Sequence, residues 1–253
     1  MIRKSSSALF ALMTLSAVAL ACTDIPTAAD QVLSFTINPL PSPSVVVGDT
    51  LRDSSGVVRP ITITAFNFQG DTAVPPKIRF LTLDRGLRVD SLTGIVRGDS
   101  ARSSAKLIVV VGSIQATVLM GVALRPDTMA PFNVRDSLSY SLLDTTVNVS
   151  PALGVKLLHG KNADSAVVGY RVSFRMISPT GTVAQLVNDP GNPGTTADTT
   201  DVSGVASRRI KLNVAQLTTI SDSVVVMASA SYRGVAVRGS PMRLVLKYKP
   251  KAP

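Results

Sequence analysis

Only two side chains in this sequence have chemistry of a kind that could stand alone, and they lie far apart: Cys22 near the amino terminus and His159 in the second half. A serine or cysteine hydrolase needs a base beside a nucleophile, and an acid to orient that base. No Gly-x-Ser-x-Gly elbow occurs. His159 precedes Gly160-Lys161-Asn162, the setting of a histidine in a surface turn. Zinc asks for several His or Cys ligands, which one histidine does not supply. The acids are 16 in number, all aspartate, but no cleft signal pairs two of them for glycoside hydrolysis. The chain therefore reads as a non-enzyme with no catalytic residue and no cofactor.

One inorganic ligand is worth weighing. Asn188-Asp189-Pro190-Gly191-Asn192-Pro193-Gly194 and Asp198-Thr199-Thr200-Asp201 gather oxygen-bearing side chains in one long loop. Calcium prefers such oxygens, which makes Asp189, Asp198 and Asp201 candidate ligands. The spacing fits no EF-hand, and Asp, Asn, Gly and Pro are also what turns are made of.

The elements that position these residues begin with a leader. Arg3 and Lys4 precede an apolar run from Ala8 to Leu20, which as helix reaches about 20 Å against a bilayer core of about 30 Å. Residues 1–21 are read as a signal peptide. Leu20-Ala21-Cys22 resembles the bacterial lipobox, which implies lipid on Cys22 and a mature chain starting there. Ala19-x-Ala21 is also an ordinary cleavage site, cutting the same bond and releasing a soluble protein. The sole cysteine falling at that position favours the lipid. Several acyl chains on one residue would anchor the protein stably. Thr23 after the cysteine resembles lipoproteins sent to an outer membrane, although Asp24 follows one place later. The implied address is the cell envelope, outer membrane rather than inner if the cell is Gram-negative.

With no glutamate and abundant Val, Thr, Ser and Ala, the rest should be almost all strand. No second cysteine means no disulfide, so hydrophobic cores must hold the fold. Charge is uneven: residues 23–126 carry ten Lys/Arg against eight Asp, net +2, and residues 127–253 carry fourteen against eight, net +6. Arg243, Lys247, Lys249 and Lys251 crowd the end. Such charge could meet anionic lipid, glycan or nucleic acid; lysines also guard strand edges. Sparse aromatics and the absence of a recognition motif argue against nucleic acid.

Short strands separated by Gly, Pro, Asp and Ser clusters suggest sandwiches. Strands are predicted at 32–37, 61–65 and 78–82, with Ile78, Phe80 and Thr82 on one face. A hairpin should join 106–111 to 114–124 through Gly112-Ser113. Residues 22–30 read as a tether, 31–126 as a first domain and 130–249 as a second, with Arg125-Pro126-Asp127 between them and a tail at 250–253. In the second domain strands are predicted at 138–143, 146–149, 155–158, 170–177, 183–187, 205–212, 224–231 and 242–248, with a turn at Tyr232-Arg233-Gly234.

The first domain resembles the bacterial Ig-like group 2 family through Val45-Val46-Val47-Gly48-Asp49-Thr50, Ile78-x-Phe80, Val89-Asp90 and Thr93-Gly94-Ile95-Val96-x-Gly98. Gly94 and Gly98 are expected at tight turns of positive φ. The second resembles group 1 Ig-like domains of invasin- and intimin-type adhesins through Val167-x-Gly169-Tyr170-x-Val172-x-Phe174 and Thr200-Asp201-x-x-Gly204-Val205-Ala206. That family's Asp-Gly-x-Pro turn is replaced here by Lys161-Asn162-Ala163-Asp164. Two tandem Ig-like Greek-key β-sandwiches behind a signal helix imply a membrane-anchored binding, adhesion or spacer module. Its partner would be an envelope or surface protein or glycan, met through the Asn188–Asp201 loop or the basic second domain. The alternative is a structural accessory held electrostatically to anionic envelope polymers.

Overall fold

A computed structural model describes residues 31–75, 77–179, 181–189, 191–217 and 222–251. The signal segment, Cys22 and the tether lie outside the described residues. The fold is all-β, as a glutamate-free, β-branched composition requires. Among the described residues the only helical pieces are single 3-10 turns at Thr145–Val147 and Val214–Gln216, and no helix is long and apolar enough to cross a membrane.

The first nine strands are β1 (Ser34–Ile37), β2 (Ser44–Val46), β3 (Ile63–Phe66), β4 (Thr72–Ala73), β5 (Ile78–Thr82), β6 (Leu87–Val89), β7 (Val96–Gly98), β8 (Arg102–Val111) and β9 (Ile114–Ala123). Two compact units divide the described residues, one taking 31–36 with 63–75, the other 37–62 with those from 77 on. The small unit centres on a three-stranded sheet in the order β1-β3-β4. Its β3–β4 turn is Gln69-Gly70-Asp71, tied because Asn67 Oδ1 accepts from the amides of Gln69 and Asp71, each at 2.9 Å.

In the larger unit, β2-β9-β8-β5 form one sheet and β6-β7 a two-stranded ribbon. Phe80 is buried on β5 while Arg79 and Leu81 point to solvent, the alternation the sequence predicts. Gly112-Ser113 make the β8–β9 hairpin, with Val111 opposite Ile114.

The remaining strands are β10 (Thr128–Asn133), β11 (Arg135–Tyr140), β12 (Leu153–His159), β13 (Ser165–Ala166), β14 (Arg171–Ser178), β15 (Ala184–Val187) and β16 (Ala197–Thr199). They end with β17 (Val205–Leu212), β18 (Asp222–Ser229), β19 (Ser231–Tyr232), β20 (Val235–Ala236) and β21 (Met242–Pro250). One sheet runs β10-β12-β17-β15 and the other β11-β21-β18-β14-β16. Leu153, Val155, Leu157 and Ile210 from the first share a single core with Val172, Phe174, Val224, Leu244 and Leu246 from the second. Two sheets on one core make a sandwich. Leaving aside the short strands β13, β15 and β16, lettering along the chain gives A-B-E in one sheet against A′-G-F-C in the other, the immunoglobulin arrangement. The strand β11 runs parallel to β21, with Leu138 beside Tyr248. The sheet β2-β9-β8-β5 repeats that order, and its β2 runs parallel to β9 with Val45 beside Val122.

Two local expectations are corrected. Residues 146–149 are not a strand: Asp144 Oδ1 accepts from the Thr146 amide at 3.0 Å and starts a 3-10 turn. Buried Asn148 then bonds the Ser141 amide and carbonyl, at 2.7 and 2.8 Å. Thr128–Asn133, read as linker and domain start, is an edge strand paired with β12.

Candidate functional site

The run Val45-Val46-Val47 buries its first two side chains and then turns at Gly48. The turn is pinned because the Gly48 amide donates to the Gly98 carbonyl at 2.8 Å and the Gly98 amide to the Asp49 carbonyl at 3.0 Å. Gly98 itself does not take positive φ, unlike Gly94 at 71°. It is glycine because a Cβ would sit 2.7 Å from the Val46 carbonyl oxygen. Leu51, wholly buried, anchors the far side of the turn. Asp49 is thereby fixed between two apolar anchors, only 4% exposed.

A backbone amide and neighbouring side chains complete the Asp49 carboxylate. Oδ1 accepts from the Thr50 amide at 2.8 Å and from Arg52 Nη2 at 3.1 Å. Oδ2 accepts from Arg52 Nε at 3.1 Å and from Arg233 Nε at 2.8 Å. Arg52 grips with a two-pronged fork, the stronger form of the ion pair. Burial opposes the charge, but the bonds from Arg233, Arg52, the Thr50 amide and Tyr232 outweigh it and hold the carboxyl well below the usual carboxylate range.

Arg233 reaches this carboxylate from the two-residue turn between β19 and β20. Both central residues have positive φ, 52° at Arg233 and 77° at Gly234, the geometry of a tight hairpin with right-handed strand twist. An arginine in left-handed backbone is disfavoured by about 1 kcal/mol, which its ion pair offsets. Its guanidinium also lies 5.3 Å above the Tyr232 ring. The partner loop, Asp53–Gly56, packs backbone to backbone on this turn: a Cβ on Gly56 would fall onto the Gly234 amide nitrogen. Tyr170 closes the cluster, its hydroxyl donating to the Ser231 carbonyl at 2.6 Å. Burial, with Tyr232 and Asp49 nearby, pushes its phenol up to about 12. Asp49 stays ionised and Tyr170 stays protonated near neutral pH. Beside the cluster opens a hollow of about 420 Å³ whose walls include Ser44, Tyr170, Arg171, Ser229 and Tyr232.

His159 is tied down at the Arg125-Pro126-Asp127 segment. Its Nδ1 lies 2.8 Å from Asp127 Oδ2 and 2.9 Å from the Arg125 carbonyl. Both are acceptors, so Nδ1 carries the hydrogen. Arg125 Nε adds a 2.7 Å bond to Asp127 Oδ1, and the Gly160 amide donates to Oδ2 at 2.9 Å.

The three calcium candidates have other employment. Asp201 Oδ1 accepts from the amides of Ser203 and Val205, at 2.8 and 3.0 Å. Asp198 takes the Ser207 amide at 2.9 Å and pairs with Arg208 at 2.9 Å. Asp189 lies 3.5 Å from Arg209. Among the described residues no three His, Cys, Asp or Glu side chains come together. Cys22 lies outside the described residues. Asp49 and Arg233 both fell within motifs noted in the sequence, yet nothing in either motif pairs them.

No family model matches the chain, and comparison with curated proteins finds no match. Among solved structures it is similar to domains 4 and 5 of the S-layer protein SbsC, at 13% identity over 85% of this chain and 96% of that one, TM-score 0.30. It is also similar to human protocadherin-24 EC1-2, at 14% identity over 86% and 99%, TM-score 0.26. A third is Drosophila N-cadherin EC1-4, at 11% identity over 87% and 50%, TM-score 0.25.

Proposed function

We propose that this chain is a cell-envelope lipoprotein, held to a membrane by lipid on Cys22, whose Ig-like domains at 31–126 and 130–249 act as a non-catalytic binding, adhesion or spacer module. The observation that carries this reading is the Asp49–Arg52–Arg233 tie. It joins the loop after β2 to the β19–β20 turn through a buried, fully bonded carboxylate. A spacer needs such a joint, because flexing between modules otherwise spreads the distance between anchor and far end. The acyl chains give membrane attachment and the outer membrane is the expected address.

The test has two parts. A labelled fatty acid should be incorporated into the wild-type protein and not into Cys22→Ser. Immobilised protein should retain a saturable component of envelope extract that survives raised salt. Incorporation equal in both proteins removes the anchor, and retention of nothing removes the binding role. Retention that vanishes with salt favours the second reading, electrostatic association with anionic envelope polymers, which the net +6 of residues 127–253 supports.

A further inference from the structure

The sheet β11-β21-β18-β14 buries one face in the sandwich core, and its outward face carries charge of one sign only. On three of its strands buried side chains alternate with exposed Arg135, Arg171, Arg175, Arg243, Lys247 and Lys249, which therefore share one surface. The registers set them side by side: Arg135 lies opposite Val245, and Arg243 and Arg175 flank Met227. The other outward positions are serines or the apolar Ile177, Val225, Met227 and Val245. No aspartate shares the face. Asp136 takes the inward parity of Leu138 and bonds Asn133 and the Ser137 amide. Asp222, at the start of β18, takes the inward parity of Val224. Among the described residues none of these cations pairs with a carboxylate, whereas Arg52, Arg208 and Arg233 do.

We propose that this face docks on a bilayer surface bearing anionic phospholipid headgroups. The spread of the charges selects the partner. Arg243 to Lys249 runs about 20 Å along β21, and β11 to β14 spans about 14 Å across the strands. A linear polyanion would meet one row of such an array at a time. A fluid bilayer brings mobile headgroups under every cation, and each basic side chain near an anionic leaflet adds to the attraction without a shaped pocket. The long stems of Lys and Arg let each charged head reach a headgroup. A second copy of the same face is repelled by like charge, and an apolar partner would have to strip water from unpaired cations. The inference rests on the membrane-anchored reading and names the surface turned to the bilayer.

The test sediments the mature chain carrying Cys22→Ser, which has no lipid of its own, with vesicles. These hold phosphatidylcholine alone or equal parts of phosphatidylcholine and phosphatidylglycerol. Binding to the mixed vesicles should be at least about tenfold tighter than to the neutral ones and should fade as salt is raised. Arg175→Gln, Arg243→Gln and Lys247→Gln together should weaken it about tenfold, with the melting temperature unchanged. Lys106→Gln, Lys161→Gln and Lys211→Gln together remove the same charge from exposed lysines elsewhere and should bind as wild type does. Equal loss in the two triple variants would mean that net charge acts and no face does. Equal binding to neutral vesicles, binding that ignores salt, or no binding would each overturn the proposal. Soluble polyphosphate held as tightly, per phosphate, as the mixed vesicles would give the face to a linear polyanion instead. Fatty-acid incorporation at Cys22 without vesicle binding by the Cys22→Ser chain sinks this face and leaves the anchor standing.

Discussion

Asp49 and Arg233 are 184 positions apart in the chain and 2.8 Å apart in space. The contact joins a turn at the end of β2 to a hairpin tip just before the last strand. Because the carboxylate is buried and held from two sides, the cost of breaking it depends on which partner leaves. Removing Arg233 leaves Asp49 with Arg52 and the Thr50 amide. Removing Asp49 leaves two partly exposed arginines side by side.

Asp49→Ala removes every one of these bonds at once and is therefore expected to cost about 2–3 kcal/mol, the scale of hydrogen bonds to a charged group. Arg233→Ala should cost less, because the Thr50 amide and Arg52 stay on the carboxylate. The double variant should lose less than the sum, since each change removes the same bond. Urea unfolding of the four proteins measures this, and strict additivity would mean that the bond contributes nothing.

The same carboxylate sets an acid limit. Its folded pKa lies below the unfolded value, so its contribution is fully present above the ordinary aspartate pKa of about 3.9 and is lost as pH falls from there toward the folded value. Wild type should lose stability steeply below about pH 4. Asp49→Asn, with no such group to protonate, should show a shallower decline over that window. Melting curves at successive pH values settle the comparison, and parallel acid limbs would contradict it.

Backbone contact gives a prediction independent of charge. Gly56 has φ of 86°, and a Cβ there would strike the Arg233–Gly234 backbone. Gly48 has φ of 75° with open space around its Cβ position. Both alanine variants carry the left-handed cost of about 1 kcal/mol. Gly56→Ala should lose at least about 2 kcal/mol more, as overpacked sites do. Equal melting temperatures for the two variants would mean that the loops do not press together.

Metal removal should be silent. Asp198 and Asp201 spend their oxygens on amides and on Arg208. EDTA is expected to leave the melting temperature unmoved, and millimolar calcium to leave it unraised. A calcium-dependent rise abolished by Asp198→Asn would restore the metal reading of that loop.

Much of the fold was legible because its signals are local. Alternation placed Phe80 inside and Arg79 outside, and Gly112-Ser113 marked a hairpin. Where a polar side chain redirected the backbone, alternation misled: Asp144 and Asn148 turned 146–149 into a 3-10 turn and loop. Edge strands such as Thr128–Asn133 were hidden by a proline and a short apolar content. The Asp49 site was invisible for a different reason. Its two halves are set by chain topology across 184 positions, and neither an aspartate after a glycine nor an arginine in a turn announces a distant partner. Gly98 shows the same gap, since its need is the nearby Val46 carbonyl rather than its own φ.

The most direct measurement is the spread of distance across the tie. Leu119, 64% exposed on β9, and Val202, 81% exposed beyond β16, accept spin labels as cysteines in a Cys22→Ser background. Pulsed dipolar spectroscopy should give one narrow distance distribution for this protein and a clearly broadened one when Asp49→Ala is added. A distribution as narrow without Asp49 as with it, or broad in both, would contradict the assignment of Asp49 and Arg233 as the joint of a spacer.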